Sequence, residues 1–190
     1  MRTLVLLTTL LLPCALIAQT PPSAQIQSDL RQALLGDWTG VLEYRDYSEP
    51  PTSTKRVQLP TWLSIASSGS SQTWHYLYDD GPIKVVEETD TVSFDPANST
   101  YAESDNSKPS RLFKVTGYDT LRNGRGQLIL TGSGTDNDKP AETRLTLTIR
   151  RNLLEILDET RPLGSSDAFA FRHLFRFTRA APPRPAQPSE

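Results

Sequence analysis

The sequence predicts an all-β protein: an antiparallel up-and-down β-barrel of about 8–10 strands with one short helix at its N-terminus. Three observations carry that reading. From Trp38 almost to the end, apolar residues recur with a period of two, the spacing of a strand with one buried face. The apolar runs are separated by turn sequences such as Asp80-Gly81, Asp95-Pro96-Ala97-Asn98 and Asn123-Gly124, with no helix between them, so parallel βαβ units are excluded. A meander this long would leave two unpaired edges if it stayed open, and closing it into a barrel removes both.

The 190 residues, 36% of them hydrophobic, suffice for one domain with a sizeable core. A formal charge of −2 without any run of Lys or Arg gives no electrostatic footprint for nucleic acid. Residues 1–18 follow a secretory pattern: Arg2, an apolar run from Leu4 to Leu12, then Pro13 and small residues up to Ala18. Cleavage is expected near Ala18-Gln19, which makes the mature protein secreted or periplasmic. The apolar run is too short for a comfortable membrane span, so no transmembrane segment is expected in the mature chain. Cys14, the single cysteine, leaves with this leader. Lipid anchoring at Cys14 is the alternative, set against Pro13, which stands where a bacterial lipobox has a small residue. Without disulfides, the mature chain must be held by its hydrophobic core.

Residues 19–23 read as a stiff spacer through Pro21-Pro22, with Ser23 as N-cap. From Ala24 to Leu35, Ile26, Leu30, Ala33 and Leu34 recur at helical spacing, and Gly36 ends the helix. The barrel domain is expected over 24–179. Its first strand places Trp38, Gly40, Leu42 and Tyr44 on one face. Val57, Leu59, Thr61, Leu63 and Ile65 follow, with Pro60 implying an edge, a bulge or a gap in the ladder. Trp74, Tyr76 and Tyr78 share a face before the Asp80-Gly81 turn, and Ile83 to Phe94 returns. A short strand near Tyr101, the pair Arg111–Tyr118 and Gln127–Thr131, a polar loop from Gly132 to Pro140, and a hairpin with its corner at Arg151-Asn152 come next. In the last strand Phe169, Phe171, His173, Phe175 and Phe177 fall on one face, which must be buried. The Pro-rich residues 180–190 have nothing to bury and are expected to form a disordered tail.

Gly36-Asp37-Trp38, where the helix meets the first strand, resembles the Gly-x-Trp signature of lipocalins and the wider calycin group. That resemblance implies an Arg or Lys near the end of the last strand packed across the tryptophan. With an even strand count the last strand runs antiparallel to the first, which selects Arg179; Arg176, of opposite parity, is the fallback. The resemblance covers roughly Gly36 to Arg179 in architecture, and in sequence only these positions. Lipocalin disulfides are missing, and nothing matches a family ligand site residue by residue. Gly36-Asp37-Trp38-Thr39-Gly40 is also similar to the opening of nitrobindin-like haem barrels, although their longer glycine-rich continuation is missing. This likeness implies haem ligation by His173.

No phosphate loop, dinucleotide fingerprint or Gly-x-Ser-x-Gly occurs, so no catalytic residue is assigned. His75 and His173 are separated by most of the chain and form no metal-ligand spacing, and His75 is expected to face solvent. Asp136-Asn137-Asp138 lacks the glycine and distal glutamate of a calcium loop and reads as a solvated loop. Glu43, Arg45, Asp46, Glu87, Glu88 and Asp90 read as exposed strand charge, and Asn98-Ser99-Thr100 as a sequon only in a glycosylating host. Trp74, Tyr76, Tyr78, Phe171, His173 and Phe175 are the expected lining of an interior cavity, with Gly36, Trp38 and Arg179 closing one end. The leading expectation is an exported, non-enzymatic binder of a small, largely apolar molecule, with no cofactor and no assigned oligomeric state. The alternatives are a haem barrel using His173, a small hydrolase or isomerase with Glu43 or Asp90 in the mouth, and an envelope protein whose loops contact a partner.

Overall fold

The chain enters through helix α1 (Pro22–Leu34) in the computed structural model, which describes residues 22–50, 53–105 and 110–181. The expected leader, and the tail beyond 181, lie outside these residues. The helix starts inside the expected spacer, because a proline at the first helical position loses no hydrogen bond and already has a helical φ. Gly36, with φ +108°, ends it and turns the chain into the first strand.

Ten strands follow: β1 (Gly36–Arg45), β2 (Arg56–Ser68), β3 (Ser71–Asp79), β4 (Val85–Asp95), β5 (Thr100–Asp105), β6 (Arg111–Thr116), β7 (Gly126–Asp136), β8 (Lys139–Ile149), β9 (Leu153–Pro162) and β10 (Ala170–Arg179). Each pairs antiparallel with its neighbour in sequence, and β10 pairs with β1 to close the barrel. β2 pairs with β1 from Arg56 to Ile65 but with β3 only from Thr61 onward. Pro60 lies one residue beyond that second ladder, so no bond to β3 is lost there.

Helix α1 plugs the end of the barrel that carries the β2–β3, β4–β5, β6–β7 and β8–β9 turns. Leu30 and Leu34 are fully buried, each contributing about 1.5–3 kcal/mol by transfer from water. Arg31 donates to the Gly69 carbonyl at 2.7 Å, Gln72 donates to the Arg31 carbonyl at 3.0 Å, and Gln27 donates to the Phe94 carbonyl. The Asn123-Gly124 turn lies against the same helix so closely that a Cβ on Gly124 would sit 2.1 Å from the Asp29 carbonyl oxygen. The opposite end, where β1 hands over to β2 and β9 to β10, is left open by the described residues.

Two expectations about the strands are corrected. Gly132 to Pro140 is no loop: β7 runs to Asp136 and β8 restarts at Lys139 across a two-residue turn. Asn137 and Asp138 hold the positive φ values of that turn, 48° and 61°, a conformation Asn and Asp tolerate. The last strand does not keep its five aromatic and histidine positions on one face. Phe171 pairs with Glu159 while His173 pairs with Asp158, so Arg172 is the extra residue of a β-bulge. The bulge reverses the parity, leaving His173, Phe175 and Phe177 inside and Phe171 outside.

Candidate functional site

At the plugged end, the Arg179 guanidinium lies 4.2 Å from the centre of the Trp38 ring. The two residues face each other in the β1–β10 ladder. Arg179 donates to the carbonyls of Leu35 and Ala33, which the end of α1 leaves unpaired, and to Arg151 at 3.1 Å. The Trp38 indole donates to the Leu34 carbonyl at 2.9 Å. A Cβ on Gly36 would meet the guanidinium at 3.3 Å. Arg176 points outward to Glu155 instead, 2.7 Å away.

Above this floor the barrel is hollow. An inner lobe of about 730 Å³ continues into an outer lobe of about 650 Å³, and Tyr78, Glu88, Thr135, Arg172, His173 and Phe175 line both. The inner wall is aromatic on one side. Tyr76 and Tyr78 stack at 5.9 Å, Phe175 lies 5.5 Å from Tyr76, and Trp74 lies 6.5 Å from Tyr76. These rings come from β3 and β10, brought together across β1 and β2 by the closure of the barrel. Gly134 on β7 withholds a side chain from the facing wall and leaves that volume open.

Five of the six residues expected to line the interior are therefore in the wall: Trp74, Tyr76, Tyr78, His173 and Phe175. Phe171 is the correction. The bulge turns it to the outer surface, where the Arg56 guanidinium lies 4.4 Å from its ring centre. His75 faces outward and shares a hydrogen bond of 2.9 Å with Thr89.

The wall also holds charge, part of it at positions expected on the surface. Glu88 and Asp90 point inward with Val92 and Phe94, while Glu87 points out. Their oxygens lie within 4.8 Å of one another and of Asp105, and each of the three has interaction partners. Tyr78 donates to Glu88 at 3.0 Å, Tyr101 donates to Glu103 at 2.9 Å, and Arg111 pairs with Glu103 at 2.6 Å. Asp136 is no solvated loop residue. It accepts from Tyr47 at 3.1 Å and from Thr160 at 3.1 Å, and Arg45 and Arg172 lie 3.7 and 3.8 Å away.

Asp158 on β9 is the most enclosed of these carboxylates, 1% exposed. One oxygen lies 3.6 Å from His173 Nε2 and 3.7 Å from Arg172 Nη1, and the other has no hydrogen-bond partner. Burial lifts its pKa to about 6, against the opposing pull of Arg172 and Arg111. Burial holds His173 neutral, with a pKa near 3, and the same two arginines push the same way. Burial also raises the phenols of Tyr76 and Tyr101 well above their usual value. The signal for these interior charges lay in the alternation itself. Asp158 shares parity with Leu154 and Ile156, Glu103 with Tyr101, and Arg111 with Phe113 and Val115.

No protein-family model matches the chain, and no curated protein matches it. Among solved structures, the crystal structure of Rv2717c from M. tuberculosis is similar, with a TM-score of 0.51 and 15% identity over 86% of this chain and all of that one. The likeness is one of fold. It carries no ligand across.

Proposed function

We propose that this protein is exported and, without chemistry of its own, binds a small, largely apolar molecule inside the barrel, as calycin-type barrels do. The observation that carries the reading is the hollow, about 730 Å³ in its inner lobe, walled by Trp74, Tyr76, Tyr78 and Phe175 and open, among the described residues, at the end away from α1. A barrel of this strand number encloses more space than its side chains fill, and aromatic concavities with a few polar groups are what apolar ligands occupy. Export is supported by the run from Leu4 to Leu12 behind Arg2 and the small residues up to Ala18. Native mass spectrometry of protein purified from its own host should show a co-purifying mass. Lipid extract from that host should raise the melting midpoint of stripped protein. A stripped spectrum without added mass and an unmoved midpoint would reject the reading.

One observation favours a second reading, haem binding: His173 is a neutral imidazole in the wall of both lobes. The residues fit the group. His173 would be the axial ligand, with Asp158 behind the ring as the carboxylate that orients a ligating histidine. Arg111 and Arg172 offer cations for propionates. Haem, when bound, would supply gas or redox chemistry at iron. Haem added to the protein should give a Soret band that His173→Ala abolishes, and a band that persists in that variant would reject this ligand.

A further inference from the structure

The pair Asp158 and His173, with Arg172 beside them, determines what kind of polar head the hollow can accept. Asp158 Oδ2 lies 3.6 Å from His173 Nε2, longer than a hydrogen bond yet close enough for the carboxylate to choose between the tautomers of a neutral ring. A nitrogen lone pair turned toward that oxygen is repelled, and an N–H is attracted. While Asp158 is ionised, His173 therefore carries its proton on Nε2, and Nδ1 is its acceptor. Among the described residues no hydrogen bond reaches Nδ1, and the ring lines both lobes.

Arg172 supplies the complementary group. The bulge that removes Phe171 from the interior turns Arg172 into it, where the guanidinium lines both lobes. Its ion pairs to Asp136 and Asp158 are 3.8 and 3.7 Å long, and the Tyr47 hydroxyl is its other neighbour. A guanidinium has five N–H donors, more than these partners take up. An anionic head entering here meets Asp158, Asp136 and the Nδ1 lone pair. A cationic head meets Arg172, with Arg111 beyond it, while the wall carboxylates Glu88, Glu103 and Asp158 are already paired with Tyr78, Arg111 and Arg172. A neutral head with a donor next to an acceptor suits both groups: its N–H reaches Nδ1 and its carbonyl reaches Arg172. The apolar remainder then lies on Trp74, Tyr76 and Phe175.

We infer that the hollow selects apolar molecules ending in a neutral donor–acceptor head, the primary-amide or lactam class, read by His173 Nδ1 and Arg172. This rests on the proposal that the hollow is a ligand site. The test uses four probes that share one ring system and differ in the head: 2-naphthamide, 2-naphthoate, 2-naphthylmethylammonium and 2-methylnaphthalene. Their affinities for the whole chain are measured by calorimetry at pH 8. The amide is expected to bind at least about tenfold tighter than each of the others, the effect of one well-placed hydrogen-bond pair. His173→Phe, which keeps the ring volume, should reduce that preference below about threefold by removing the acceptor. Asp158→Asn keeps an oxygen toward Arg172 but removes the negative charge, and should raise the affinity for naphthoate. A readout independent of binding is the ¹⁵N spectrum of the ring. In His75→Gln, which leaves one histidine, it should show protonated Nε2 and bare Nδ1 at pH 7 to 8, where Asp158 is ionised. A ring protonated on Nδ1, or naphthoate binding as tightly as the amide, would overturn the inference. Four equal affinities would overturn it and leave the hollow a ligand site, whereas no binding by any probe would remove both.

Discussion

Asp158 and His173 should give the stability of this protein a pH dependence that cancels in the wild type and emerges when either residue is replaced. Asp158 ionises near pH 6 in the folded chain against an ordinary 3.8. Its folded-state pKa is raised, so it contributes stability below the ordinary value and loses it as pH rises through 6. His173 has the opposite sign, titrating near 3 when folded against an ordinary 6.5. Its stability is present above 6.5 and is lost as pH falls toward 3. Between pH 4 and 6 the folded chain thus holds a proton on Asp158 and the unfolded chain holds one on His173, so the difference in bound protons from this pair is close to zero. Asp158→Asn leaves only the histidine, and stability relative to wild type should fall by about 2 kcal/mol from pH 6 to pH 4. His173→Gln leaves only the carboxyl and should gain about the same amount over the same interval. Urea unfolding at pH 4, 5, 6 and 7, compared variant against wild type, cancels the contribution of every other group. Differences that stay constant with pH, or that share one sign, would refute the assignment of these two environments.

Arg179→Ala removes the donor to three backbone carbonyls and the cation over Trp38, and should cost about 3 kcal/mol, a melting midpoint about 6–12 °C lower. Arg176→Ala, whose side chain is 61% exposed beside Glu155, should stay within about 1 kcal/mol of wild type by the same melt. Gly40→Ala would place a methyl 2.0 Å from the Arg176 carbonyl oxygen and 2.8 Å from the Phe177 Cα, forcing the β1–β10 seam apart, and far-UV circular dichroism should show that the folded barrel is lost. Phe175→Ala should weaken 2-naphthamide binding at least about fivefold, whereas Phe171→Ala, on the outer surface, should leave it unchanged within error.

The sequence by itself determined the class of architecture. Period-two alternation, turns too short for helices and a chain with no available disulfide leave few alternatives to a curled antiparallel sheet. The parity of Trp74, Tyr76 and Tyr78 was legible because β3 is uninterrupted, and the choice of Arg179 over Arg176 followed from an even number of strands. The interior of the upper barrel was not legible. Alternation puts Glu88, Asp90, Glu103 and Asp158 on the inner face, but average burial preferences assign carboxylates to solvent, and only a hollow core makes an inward charge affordable. One inserted residue at Arg172 reverses the face of everything before it in β10, and no local signal distinguishes a bulged strand from a regular one. Tertiary structure alone decided that Phe171 leaves the cavity while Arg172 enters it, and that Asp158 comes to lie beside His173. Both depend on register between strands, which is fixed by closure of the whole barrel, whereas alternation is fixed within each strand.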